Sequence, residues 1–268
     1  MKTVGLKRKD GRSANELRPI SCQFDIYPNA AGSVLYAIGK TQILCSVIMQ
    51  PGVPAFLRGT RTGWLTANYS MLPASTQKRN ERESGAKPNG RYMEISRLIG
   101  RSLRAVVDVA SIGERTITID CDVLQADGGT RTASVTAACL ALKMAEQTWL
   151  RKGIITQAIS RDVIAGVSVG FCNGVPVLDP NCDEDSSGQA DVNFVLTKSG
   201  AIIEIQGTAE TSPISYESFN AMYTLACAGV SDIMESIEKP SEPVIKQQTQ
   251  KVAYKFGTLG SILQQKTE

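Results

Sequence analysis

Histidine is absent from all 268 residues. Its absence removes Ser-His-Asp and Cys-His catalysis, histidine general bases and histidine metal ligands at once. Any chemistry must then rest on carboxylates, Lys, Arg, Ser/Thr, Tyr or Cys. No apolar run approaches the roughly 20 residues of a membrane span, and the leading MKTVGLKRKDGRS carries no apolar segment of the secretory kind. The expectation is a soluble, cytoplasmic protein. Seven cysteines (22, 45, 121, 139, 172, 182 and 227) form no CxxC and sit mostly in apolar runs. They read as buried free thiols rather than disulfides or a zinc site. A nucleotide P-loop is also missing: the near-match Gly39-Lys40-Thr41 lacks the upstream glycine and reads as a hairpin tip.

What is present is an ordinary globular composition, 42% hydrophobic and 21% charged, with unevenly placed charge. Residues 58–91 carry Arg58, Arg61, Lys78, Arg79, Arg82, Lys87 and Arg91 against only Glu81 and Glu83. Residues 179–191 hold Asp179, Asp183, Glu184, Asp185 and Asp191 with no Lys or Arg. The pair of segments reads either as two solvated loops or as the two sides of a site that handles a polyanion with a metal ion.

Periodicity lays out the elements. Residues 32–49 read as two strands joined at Gly39-Lys40, and residues 52–91 as a long polar loop rather than a core element. From Arg91, a helix is predicted with Ile95, Leu98, Ile99, Leu103 and Val106 on one face and Arg97, Arg101 and Arg104 along its polar margin. A strand follows over 116–125 and a helix over 133–149. Two hairpins turn at Asn173-Gly174 and Lys198-Ser199-Gly200, and a helix covers 214–237. From Lys239 the chain is polar and reads as an extension to the domain. Strands mostly in hairpins exclude a Rossmann pattern.

Between the 116–125 strand and the 133–149 helix lies QADGGTRTAS. Thr132 or Ser134 could cap the helix start. Alternatively, the free N–H groups, the two glycines and Arg131 could hold an oxyanion such as phosphate. The turn alone leaves both readings open.

The runs TITIDCDVLQADGGTRTAS, GVPAFLRGTRTGW, RNERE, GRYMEISRLIGRSLRAVVD, DEDSSGQADVN and EIQGTAE together resemble the ribonuclease PH family over roughly residues 8–237. The resemblance implies an α+β fold, with mixed sheets and hairpins packed on helices. It implies one catalytic domain over 1–238, followed by the 239–268 extension. The implied activity is phosphate-dependent 3′ to 5′ trimming of tRNA precursors, with roles in tRNA and rRNA processing, reversible as nucleotide addition. Carried over by motif, Arg91, Gly129, Thr130 and Arg131 hold the phosphate cosubstrate. Asp185 and Asp191 supply acid and Mg²⁺-binding functions, and Arg79 and Arg82 grip RNA. A homohexameric ring, a trimer of dimers, is implied too.

Some positions depart from the family pattern. TANYSMLPAST has Asn68, Ser70 and Ala74 where the family usually has Glu, Gly and an RNA-contacting Arg, and DSSGQAD has Gln189 in place of Glu. The changes bear on the tRNA grip and ring contacts, not on a phosphate or metal position. Competing readings are a non-catalytic RNA-binding ring subunit and a hydrolytic nuclease using the acidic cluster alone.

Overall fold

The computed structural model describes residues 8–82, 89–172, 174–186 and 188–238. The 239–268 extension, Lys87 and Asn173 lie outside the described residues.

A first sheet contains β1 (Ile20–Phe24), β2 (Gly32–Ile38), β3 (Thr41–Pro51), β4 (Trp64–Met71) and β5 (Arg115–Gln125) in the order β1-β2-β3-β5-β4. A second contains β6 (Ile164–Cys172), β7 (Val175–Leu178), β8 (Ala190–Thr197) and β9 (Ile202–Ala209) in the order β7-β6-β8-β9. The helices are α1 (Gly90–Val106), α2 (Thr130–Arg151), the short α3 (Cys182–Asp185) and α4 (Tyr216–Glu238). This is the α+β arrangement that the sequence implies.

The predicted apolar face of α1 is buried at all five positions, against β4 and α2. Leu98 and Ile99 are among the largest fully enclosed side chains, so truncating either to Ala is expected to cost about 2–5 kcal/mol. Helix α2 is buried nearly all round, because it packs on both sheets. Its approach to β6 is backbone to backbone: a Cβ on Gly166 would stand 2.6 Å from the Thr132 carbonyl oxygen. A second core, around Phe194, Met222 and Val230, fills the space between the second sheet and α4.

Two expectations need correction. The 52–91 segment is not loop throughout: β4 pairs in parallel with β5, and Leu65, Ala67 and Tyr69 point into the core. The period-two pattern was present in LTANY but short, and its partner lies beyond a helix; α1 is the crossover that a parallel pair needs. Helix α2 also starts earlier, at Thr130, which places Arg131 in its first turn.

Arg101 and Arg104 do reach partners. Arg101 pairs with Glu204 on β9, and Arg104 donates to the Leu65 carbonyl at 2.9 Å while lying 4.7 Å from the Trp64 ring centre.

Candidate active site

Arg91, Gly129, Thr130, Arg131, Asp185 and Asp191 line one cavity of about 370 Å³, which Thr76, Asn80, Ser168 and Asn193 also border. The six come from the first turns of α1 and α2, the end of α3 and the start of β8.

The turn before α2 is built to leave its N–H groups free. Gly129, in the left-handed conformation at φ +64°, is the N-cap, and no side chain caps the helix. Thr132 Oγ1 lies 3.0 Å from the Gly129 carbonyl oxygen and Ser134 Oγ donates to the Thr130 carbonyl at 2.8 Å, and neither hydroxyl oxygen accepts from a backbone N–H of the helix start. The capping alternative is therefore not what these residues do. At α1 the contrast is plain: Asn89 Oδ1 accepts from the backbone N–H groups of Arg91 and Tyr92.

Several contacts fix the open turn. Thr41 Oγ1 donates to the Gly128 carbonyl at 2.8 Å and accepts from Asp127 N at 2.9 Å. Gly128 cannot be replaced freely, since at φ +83° a Cβ would stand 2.6 Å from the Pro180 carbonyl oxygen. Tyr69 Oη donates to Thr130 Oγ1 at 3.0 Å and its ring meets Tyr92 edge to face at 5.6 Å. Arg131 Nη1 reaches Gln206 Oε1 at 3.5 Å.

Opposite the turn stand the carboxylates. Burial raises the Asp185 carboxyl above its ordinary value, as does the charge of Glu210, while Arg131 and Arg91 oppose the rise. Asp191 is pushed up to about 6 by burial and by the charge of Asp185, against the hydrogen bond from Asn193 and the pull of Arg131. Its Oδ1 is buried and has no hydrogen-bond partner among the described residues.

A hard cation suits this pair: it would relieve the repulsion and satisfy the orphaned oxygen. Among the described residues no group of three or more His, Cys, Asp or Glu converges as a metal site. Two carboxylates with the remaining positions left to water and substrate phosphate is the sparse protein coordination that Mg²⁺ tolerates.

The acidic run divides by role. Asp179 and Glu184 face the buried guanidiniums of Arg18 and Arg8, at 2.6 and 2.7 Å, and Asp183 meets exposed Lys9. Only Asp185 and Asp191 of the five line the cavity. Arg79 lies in an adjoining cleft of about 300 Å³ with Pro73, Ala74 and Gln77; Thr76 borders both spaces. Arg82 is exposed and lines neither.

Three of the four departing residues are locally paired. In the parallel register Asn68 stands opposite Asp120 and donates to it at 2.8 Å, and Ser70 donates to Asp122. A Glu at 68 would set two carboxylates side by side. Gln189 Oε1 accepts from Gly174 N at 3.2 Å. Sequence reasoning missed Glu210, Asn193, Arg18 and Thr41. Glu210 and Asn193 were within reach, in the EIQGTAE and DSSGQADVN runs; Arg18 and Thr41 left no local signal.

Residues 16–147 match the 3′ exoribonuclease family, domain 1, and residues 162–229 match domain 2 of the same family. A protein called Ribonuclease PH from Neisseria meningitidis serogroup C is 50% identical over 225 residues, covering 84% of this chain and 93% of its own length. A Methylobacterium protein of the same name is 49% identical over 229 residues, covering 85% and 96%. Among solved structures, an Archaeoglobus fulgidus exosome with RNA bound to the active site superposes with a TM-score of 0.74 at 21% identity, covering 87% of this chain and 93% of that one. Rice (Oryza sativa) Rrp46 gives 0.70 at 20%, covering 85% and 97%; at such identities these two speak for the fold alone. With both family domains matched in order and half the residues shared along most of the chain, this protein belongs to the ribonuclease PH family of 3′ exoribonucleases.

Proposed function

We propose that the chain is a phosphate-dependent 3′ to 5′ exoribonuclease that trims tRNA precursors, and that the 370 Å³ cavity is its active site. Relatives named Ribonuclease PH at 50% identity support the activity. One observation carries the site assignment: an uncapped helix start flanked by Arg91 and Arg131 shares a cavity with the Asp185 and Asp191 carboxylates.

Inorganic phosphate sits at the α2 N-terminus, held by the N–H groups around Gly129 and Thr130 and by the Arg131 and Arg91 guanidiniums. These charges let a second anion, the terminal RNA phosphodiester, come within bonding distance. A phosphate oxygen attacks the phosphorus, and the bond to the 3′ oxygen of the preceding nucleotide breaks. That oxygen takes a proton from the Asp185–Asp191 pair, directly or through water. The product is a nucleoside 5′-diphosphate, and because one phosphate linkage replaces another the reverse reaction extends RNA. Asp185 and Asp191 would hold Mg²⁺, which supplies further charge neutralisation on the reacting phosphates. Arg79 and Arg82 guide the RNA toward the cavity.

Residues 1–238 form the catalytic domain in this reading, with 239–268 as an extension. A homohexameric ring would enlarge the surface for structured RNA, and sedimentation at micromolar concentration tests it. A cytoplasmic location is part of this reading; among the described residues no helix is long and apolar enough to cross a membrane. A non-catalytic ring subunit would have no need for both the open turn and the acid pair.

The test is product identity. A short 3′-tailed RNA with Mg²⁺ should release diphosphates only when phosphate is added. Monophosphates released equally without it would make the enzyme hydrolytic. Arg131→Lys should raise KM for phosphate roughly 10- to 100-fold, since an ammonium lacks the planar fork of donors.

A further inference from the structure

Between the two halves of the cavity runs a chain of side-chain hydrogen bonds. Asn193 Nδ2 donates to Asp191 Oδ2 at 2.8 Å, and Asn193 Oδ1 accepts from Ser168 Oγ at 2.7 Å. Ser168 Oγ lies 3.2 Å from Thr132 Oγ1, which is also 3.0 Å from the Gly129 carbonyl oxygen. One end is the carboxylate pair; the other is the phosphate turn.

A carboxylate only accepts, so Asn193 must turn its amide nitrogen to Asp191 and its oxygen to Ser168. Ser168 then gives its one proton to Asn193 Oδ1, so the chain is complete when Thr132 turns its proton to Ser168 Oγ rather than to the Gly129 carbonyl. Thr132, Ser168 and Asn193 are 4%, 4% and 6% exposed, which keeps water from competing strongly for these links. Burying three polar side chains between α2 and the second sheet is costly where apolar ones would pack. The arrangement also uses Asp191 asymmetrically, since Asn193 takes Oδ2 and Oδ1 remains buried without a partner among the described residues.

We infer that Thr132, Ser168 and Asn193 form a positioning relay that holds the Asp191 carboxylate in one rotamer, Oδ1 unbonded, and ties it to the phosphate turn. The inference rests on the proposed role of Asp191 in holding the metal. Thr132 does not line the cavity, so an effect of its hydroxyl on metal binding has to pass through the relay.

The experiment compares full-length Thr132→Val, which removes the hydroxyl at similar shape, with Thr132→Ser, which keeps it. Mn²⁺ binding is read by electron paramagnetic resonance without RNA or phosphate, beside kcat, KM for RNA and Tm. Thr132→Val is expected to weaken Mn²⁺ binding about tenfold and lower kcat about tenfold, with KM for RNA within about twofold. Thr132→Ser should restore both. Asp191→Asn serves as the reference and should abolish Mn²⁺ binding. If it binds Mn²⁺ like the parent, the metal reading fails and the relay with it. If Asp191→Asn loses Mn²⁺ while Thr132→Val binds normally and only its Tm falls, the metal reading stands and the relay is overturned. Should Thr132→Val not fold, Ser168→Ala breaks the same chain at its centre and is judged by the same criteria.

Discussion

Arg18 and Asp179 form a bidentate pair, Nε to Oδ2 at 2.8 Å and Nη2 to Oδ1 at 2.6 Å, with both side chains buried. The same guanidinium donates to the carbonyls of Asp127 and Gly128. One arginine thus holds the segment leading to the acid pair against the turn proposed to hold phosphate. Arg18→Ala leaves Asp179 charged and short of a partner, and should cost about 3–5 kcal/mol in urea denaturation. At temperatures where the variant stays folded, its KM for phosphate should also rise. A normal KM would mean that the other contacts, those of Thr41 and Tyr69 among them, set the turn.

Asp185→Asn and Asp191→Asn should each lower kcat by roughly 10²- to 10⁴-fold, because they remove a proton donor or acceptor at the reacting phosphate. RNA affinity by filter binding should stay within about twofold. Weaker RNA binding with unchanged single-turnover rate would move these residues from the chemistry to the RNA track.

Arg79→Ala combined with Arg82→Ala should weaken binding of structured tRNA and flatten its salt dependence. The logarithmic slope should fall by roughly 0.7–0.9 for each RNA phosphate that an arginine no longer neutralises. Because only Arg79 borders the cleft beside the cavity, Arg79→Ala alone should account for most of the effect on short single strands. An unchanged slope in the double variant would show that both side chains are merely solvated.

Glu146 gives the fold an acid-sensitive joint. Burial alone would raise its carboxyl, but hydrogen bonds from Ser160 N at 2.6 Å and Ile159 N at 2.8 Å, with Lys143 nearby, hold it below the ordinary 4.5. A lowered folded-state value favours the folded chain above 4.5 and withdraws that support as pH falls below it. Glu146→Gln should cost about 1–3 kcal/mol at pH 7 and much less near pH 3.5, measured by denaturant titration. Equal cost at both values would contradict the assignment.

Local pattern carried much of this fold, and distance in sequence hid the rest. The α1 face and the β2–β3 and β8–β9 hairpins were legible because their period and turn chemistry lie within a few residues. Strand β4 was not, since its partner follows a whole helix. The cavity residues were placed by spaced motifs. The side chains that hold them were silent: Arg18 acts through Asp179, 161 positions away, and Thr132 meets Ser168 36 positions on. Charge density misled as well, because the acidic run mixes Asp179 and Glu184, spent on buried arginines, with the two aspartates that face the cavity.

The pairing of Arg18 with Asp179 also sets the order of events during synthesis. A nascent chain that has emerged as far as Arg151 contains the whole of α2 and its open turn, yet neither Asp179 nor either cavity aspartate. Contacts of such long reach close late, after the nearer pairings have formed. A growing polypeptide of that length therefore carries the residues of the turn without the Asp179 pairing that holds it in shape. On the proposed reading, the phosphate turn and the acid pair are completed together, when the second sheet closes.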